Sequence, residues 1–191
     1  MALVTDAGMP AISDPGARLI RAALEAGVSV TVLPGASAVE AALVASGLVA
    51  ERYQFVGYLP RGQKAIADFW QELSRWPWPV VAFESPQRLP RTLRSLAAAM
   101  PERRAAVCRE LTKAFEEVAR GTADELATRF AEPPKGEIVL VLGASEIVVD
   151  KVAGADAVVE LVGAGVPRRQ AAAVVARLTG ASRNALFDAS L

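Results

Sequence analysis

The protein has 191 residues, 21 Lys and Arg against 21 Asp and Glu, and 52% apolar side chains. That is ample for a buried core and excludes a disordered chain. A zero formal charge gives no global field toward nucleic acid, so any polyanion site must come from local clustering. Absence of histidine and a single cysteine, Cys108, exclude Ser-His-Asp and Cys-His catalysis, His-ligated zinc and an intramolecular disulfide. Cysteine usage, the lack of a signal-type start and the absence of an apolar run near the ~18 residues that span a bilayer predict a cytoplasmic protein. The charge is uneven: residues 52–120 hold twelve Lys and Arg against seven Asp and Glu, so a basic face is expected there.

In chain order, Ala2 to Thr5 reads as a short buried strand, followed by the turn Asp6-Ala7-Gly8-Met9-Pro10 and, after Asp14-Pro15-Gly16, a helix ending at Gly27. Val28 to Leu33 reads as a second strand, and Ser37 as the cap of a helix over Ala38 to Ser46. This β-α-β-α rhythm predicts parallel pairing, yet a parallel strand at the very start is short of neighbours. Tyr53 to Tyr58, Val80 to Phe83 and Ala105 to Cys108 read as strands. Between them lie a helix ending near the Pro77-Trp78-Pro79 break and another that carries Arg88, Arg91 and Arg94. Phe115 to Arg120 extends the sheet, Thr122 and Glu125 have capping-box spacing, and Glu137 to Leu142 is a last apolar strand. From Ala155 the composition turns helical, with Pro167 and Ser182 opening two further helices in a helix-turn-helix-like tail. The expected division is 1–50, 51–145 and 146–191.

The chemistry collects at strand ends. Asp6 to Pro10 and Pro34-Gly35-Ala36-Ser37-Ala38 lie at the edge where open α/β sheets bind ligands, and neither is a common nucleotide fingerprint. Phe83-Glu84-Ser85-Pro86-Gln87-Arg88 and Cys108-Arg109-Glu110-Leu111-Thr112-Lys113 each end a strand with charged side chains. Lys135-Gly136-Glu137 precedes the last one, where Gly136 permits close approach.

These motifs, in this order, resemble those of the tetrapyrrole-methylase superfamily, and specifically its bacterial small-subunit ribosomal RNA 2′-O-ribose methyltransferase branch. The resemblance rests on Thr5 to Gly16, Pro34 to Ala38, Phe83 to Arg88, Arg109 to Lys113 and Lys135 to Leu140. It implies an α/β, two-lobed tetrapyrrole-methylase-like fold whose first lobe is incomplete, with a small helical C-terminal extension. It also implies a homodimer and a cytidine of 16S rRNA in the small ribosomal subunit as target. S-adenosylmethionine would be held by Asp6, Ala7, Gly8, Met9, Pro10, Ser37, Ala38, Phe83, Glu84, Leu111, Gly136, Glu137 and Ile138. Members of the branch carry upstream strands and a Pro/Gly-rich loop, so this chain is expected to be weakly active or inactive. Met9 stands where a small hydroxyl residue is expected, and Gln87 where a His is usual.

Methyl transfer to a ribose hydroxyl needs no metal. Alignment supplies most of the acceleration, and a base adds to it. Without histidine the candidate bases are Glu84, Glu110 and a Lys113 of lowered pKa, with Arg88, Arg109, Lys113 and Lys135 as contacts to phosphate or ribose. The alternatives are a tetrapyrrole (precorrin-type) methyltransferase, which would not require the Arg-rich helix or the tail, and a ligand-sensing DNA-binding regulator using Arg168, Arg169, Arg177 and Arg183. Residues 151–191 carry five Lys and Arg against three Asp and Glu, thin for autonomous DNA binding.

Overall fold

The computed structural model describes residues 1–5, 8–74, 76–145, 151–179 and 181–190. The chain divides into two compact units, Met1–Ser145 and Glu146–Leu191. Strands β1 (Gln54–Tyr58), β2 (Val80–Glu84), β3 (Arg104–Arg109), β4 (Glu117–Thr122) and β5 (Ile138–Leu142) form one sheet in the order β1-β2-β5-β3-β4. Helices α1 (Ala17–Glu25), α2 (Ala38–Ser46), α3 (Gln63–Leu73), α4 (Leu89–Ala99) and α5 (Ala123–Arg129) complete the first unit.

β1 and β2 pair in parallel through α3, as the apolar runs and the Pro break predict. The sheet as a whole is mixed, because β5 inserts antiparallel between β2 and β3, and β4 is antiparallel to β3. All five residues of β5 are buried. A strand apolar on both faces is stable only with a neighbour on each edge and a layer on each face, which places it at the centre. Side chains alternate across the pleat. Val80, Ala82, Val107, Leu140 and Leu142 pack with Trp70, Leu93, Leu96 and Leu126 of α3, α4 and α5. Val81, Ala106, Cys108, Val139 and Val141 pack with Val39, Ala42 and Leu43 of α2.

Two local devices fix the helices. Thr122 and Glu125 form the capping box: the Thr122 hydroxyl accepts from the Glu125 N–H at 3.2 Å, and the Glu125 carboxylate accepts from the Thr122 N–H at 2.8 Å. Arg120 of β4 donates from Nε to the Ser46 carbonyl at 3.1 Å and from Nη2 to the Ala45 carbonyl, a cation on the orphan carbonyls that end α2.

Two expected strands are not formed. Ala2 to Thr5 and Val28 to Leu33 run outside the sheet, with Val4 83% and Leu33 82% exposed. Both are β-prone in composition, but a strand exists only when a neighbour takes up its N–H and C=O groups, and none does among the described residues. In the second unit, α6 (Lys151–Gly163), α7 (Arg168–Thr179) and α8 (Arg183–Ala189) pack on Val158, Ala171, Ala172, Val175 and Leu186. Among the described residues no helix is long and apolar enough to cross a membrane.

Candidate active site

A cleft of about 500 Å³ opens in the first unit at the carboxyl ends of β1, β2 and β3. β1 and β2 run the same way, and β5 starts where β3 ends, so the loops after β2 and β3 and the loop before β5 converge on one edge. Gly8, Met9, Ser37, Ala38, Phe83, Glu84, Leu111, Gly136, Glu137 and Ile138 all line the cleft. Pro10 does not, and Asp6 and Ala7 lie outside the described residues. The volume falls in the range of small-molecule sites.

Several lining residues were not among the expected cofactor contacts, including Tyr58 and, although they lie in the quoted motifs, Asp14, Ser85 and Cys108. Tyr58 ends β1 opposite Phe83 of β2, and their rings meet edge to face with centroids 5.6 Å apart. Phe55 packs on Phe83 from behind at 4.9 Å. The signal was the pair of aromatic residues at neighbouring strand ends. Burial pushes the Cys108 thiol up to about 11, which keeps it protonated and unreactive. Ser37 precedes α2 but does not cap it; its hydroxyl donates to the Glu40 carboxylate.

Behind the wall formed by Leu111, Gly136, Glu137 and Ile138 lies a clasp built on Glu110. Its N–H donates to the Glu137 carbonyl at 3.0 Å, and its Oε1 accepts from the Glu137 N–H at 2.9 Å. Lys113 Nζ lies 3.0 Å from both Glu110 Oε1 and Glu137 Oε2. Glu110 and Thr112 adopt positive φ, 51° and 66°. Gly136 is at φ 98°, and a Cβ there would sit 2.3 Å from Glu110 Cγ, so any other residue at this position is strained and displaces Glu110.

The clasp corrects one expectation. The Glu137 and Glu110 carboxylates raise the Lys113 pKa above its ordinary value, the opposite of the depression a neutral base needs, so Lys113 is a fixed cation. Glu110 is held below the usual carboxylate range by the Glu137 N–H and then by Lys113. Glu117 is lowered likewise, by Arg109 at 2.9 Å and then Arg129 at 2.7 Å. A carboxylate whose folded pKa is depressed contributes stability that is complete above its unfolded value, about 4.3, and is lost as pH falls through the folded value. The melting temperature is therefore expected to fall as pH drops from about 5 toward 3. E110Q and E117Q together should flatten that slope, and an unchanged slope in the double variant would show that these pairs do not govern it.

The other candidate groups are committed to holding loops. Glu84 is 3% exposed: Oε1 accepts from the Ser85 N–H at 2.7 Å and faces Arg88 Nε at 3.2 Å, and Oε2 accepts from the Thr92 hydroxyl at 2.7 Å. This carboxylate organises the start of α4 and has no oxygen open to a substrate proton. Arg88 Nη2 donates to the Leu59 and Pro60 carbonyls at 2.8 and 2.9 Å, tying the end of β1 to α4. Arg109 joins Glu117 and donates to the Lys135 carbonyl at 3.1 Å. The Lys135 side chain is exposed and makes no hydrogen bond or ion pair among the described residues. None of Arg88, Arg109, Glu110, Lys113 and Lys135 lines the cleft itself.

Residues 1–127 match the family described as Tetrapyrrole (Corrin/Porphyrin) Methylases. The chain belongs to this family. In this tetrapyrrole methylase chain, residues 150–191 further match the RsmI C-terminal HTH domain. It is 40% identical over 190 residues to the Ribosomal RNA small subunit methyltransferase I of Mesorhizobium japonicum, covering 98% of this chain and 65% of that protein. With the protein of the same description from Mycobacterium tuberculosis it shares 44% identity over 194 residues, covering 99% of this chain and 67% of the other. The chain thus spans about two thirds of the length of these relatives. Its fold is like that of the uroporphyrin-III C-methyl transferase from Thermus thermophilus, solved with S-adenyl homocysteine. That likeness has a TM-score of 0.50 at 18% identity and covers 71% of this chain and 62% of that one.

Proposed function

We propose that the chain serves an S-adenosylmethionine-dependent 2′-O-ribose methyltransferase acting on a cytidine of 16S rRNA in the small ribosomal subunit. The reading is carried by identity at 40% to curated small-subunit rRNA methyltransferases along nearly the whole chain, combined with a family cleft at the strand ends. The C-terminal match to the RsmI domain favours this over a precorrin-type methyltransferase or a DNA-binding regulator. On this reading residues 1–50 belong to the first lobe, 51–145 form the second, and 146–191 are the helical extension. The protein works in the cytoplasm, as a homodimer.

The cleft fits the cofactor. Gly8, Ser37 and Ala38 offer small side chains and accessible backbone on one side, Tyr58 and Phe83 an aromatic face, and Leu111, Gly136 and Ile138 the opposite wall. S-adenosylmethionine held by these residues would supply an electrophilic methyl group to the ribose oxygen, with S-adenosylhomocysteine as the leaving group and the hydroxyl proton passing to solvent. Glu84, Glu110 and Lys113 are engaged in ion pairs and hydrogen bonds with their neighbours, so what these residues contribute is position. Glu84 and Arg88 set the Phe83 loop, and the Glu110 clasp sets the Gly136 loop. Alignment of the reacting atoms is worth up to about 7–11 kcal/mol. Lys135 stands outside the cleft as a cation for RNA phosphate, whereas Lys113 is neutralised by its two carboxylates.

The test is incubation with radiolabelled S-adenosylmethionine and small ribosomal subunits from a strain that lacks 16S ribose methylation. Label in an alkali-stable dinucleotide containing cytidine is expected. Label on uroporphyrinogen with none on rRNA would overturn the assignment.

A further inference from the structure

A second cavity of about 280 Å³ lies between α3 and α4, and Arg88, Arg91 and Arg94 line it together with Gln63, Thr92 and Ser95. Among the described residues no Asp or Glu lines it. The chain has no net charge, so the two arginines of this groove that have no acidic partner, Arg91 and Arg94, are a local concentration of the kind that polyanion binding requires. The three arginines differ in what they do. Arg88 is committed to Glu84 and to the Leu59 and Pro60 carbonyls. Arg91 and Arg94 are exposed and make no hydrogen bond or ion pair among the described residues. Two unpaired guanidiniums three residues apart on one helix have Cβ atoms about 5–6 Å apart. Each offers a planar fork that matches two phosphate oxygens.

The groove also has a definite relation to the cleft. Pro86 lines the cleft and Arg88 lines the groove, and Arg91 and Arg94 continue along α4, which rises about 1.5 Å per residue. The floor is fixed, since Trp70 Nε1 of α3 donates to the Ser95 hydroxyl of α4 at 3.0 Å. We propose that the α3–α4 groove binds the phosphate backbone of the RNA strand flanking the target nucleotide. Arg91 and Arg94 make the contacts, and Arg88 holds the groove in place. The proposal rests on the RNA-methyltransferase reading and adds to it a substrate site apart from the cofactor cleft.

The experiment is fluorescence anisotropy of a labelled 16S rRNA fragment titrated with the 191-residue chain at several salt concentrations, comparing R91A/R94A with wild type. S-adenosylhomocysteine affinity is measured by calorimetry in parallel. Removing two contacts to single-stranded phosphate should reduce the slope of log affinity against log salt by about 1.4. Affinity should fall at least tenfold for fragments of unrelated sequence, because phosphate contacts carry no sequence information. S-adenosylhomocysteine affinity and melting temperature should not change, and R91K/R94K should recover most of the slope. R18A/R21A removes the same charge from α1 and should leave RNA affinity within twofold. An unchanged slope in R91A/R94A, or an equal loss in R18A/R21A, overturns the groove while leaving the RNA reading standing. If the wild-type chain does not bind the fragment at all, both fail.

Discussion

Gly136→Ala should destabilise the protein by about 3 kcal/mol and remove most of its affinity for S-adenosylhomocysteine. Two costs combine. At φ 98° an L side chain is strained, which costs about 1–3 kcal/mol. The added Cβ would also lie 2.3 Å from Glu110 Cγ and 2.5 Å from Cδ, so the Glu110 side chain must leave its place. Its departure removes the acceptor of the Glu137 N–H and separates Lys113 from one of its two carboxylates. The affected residues are those that place Leu111, Gly136 and Ile138 on the cleft wall, so ligand affinity should fall at least tenfold. E110A relieves the collision without relieving the strained φ. G136A/E110A should therefore be less destabilised than the sum of the two single variants, by about 1 kcal/mol or more. Thermal melts and calorimetry on the three variants provide the check. A G136A protein with wild-type melting and affinity would show that the loop does not hold this conformation.

The parts of the molecule legible in its sequence are those whose determinants are local. Thr122 and Glu125 satisfy one another three residues apart, and the capping box forms as their spacing implies. The apolar runs at 80–84, 104–109 and 138–142 become strands because each is sealed by turn residues and buried on both faces. Pairing was not legible in the same way. The insertion of β5 between β2 and β3 depends on which apolar strand most needs two neighbours, a comparison across the chain that no window contains. Val28 to Leu33 shows the reverse case, a strand-like composition left without a ladder.

The site divides along the same line. Loops rich in Gly, Ala and Pro at strand ends pointed to the cleft, and Gly8, Ser37, Phe83 and Gly136 line it together. The tasks of the charged residues were hidden, because a letter does not tell whether a carboxylate faces solvent or its own backbone. Lys113 sits between two carboxylates brought together by Glu110 and Glu137 pairing across loops. That proximity reverses the pKa direction expected of a base.

Glu84→Ala should lower stability by about 3 kcal/mol, the lower end of the range for removing one partner of a buried ion pair. The lower end applies because Arg88 keeps its bonds to the Leu59 and Pro60 carbonyls and is 27% exposed, so the charge left behind is partly solvated. The Ser85 N–H and the Thr92 hydroxyl lose their acceptor in a site where the carboxylate is fully covered. For a chain of this size the loss corresponds to about 6–12 °C in melting temperature. Glu84→Gln keeps an acceptor for one donor but sets its amide hydrogens against another donor, so a smaller loss of about 1–2 kcal/mol is expected. Since Glu84 fixes the turn from β2 into α4, S-adenosylhomocysteine affinity should fall in step with stability, as the Phe83 side chain and Pro86 shift on the cleft wall. A general base behaves differently: Gln would reduce the methylation rate by about 10²–10⁴-fold at unchanged melting temperature and ligand affinity. Melting, calorimetry and a pH–rate profile on E84A and E84Q separate the two roles, and a rate lost with stability intact would return Glu84 to the chemistry.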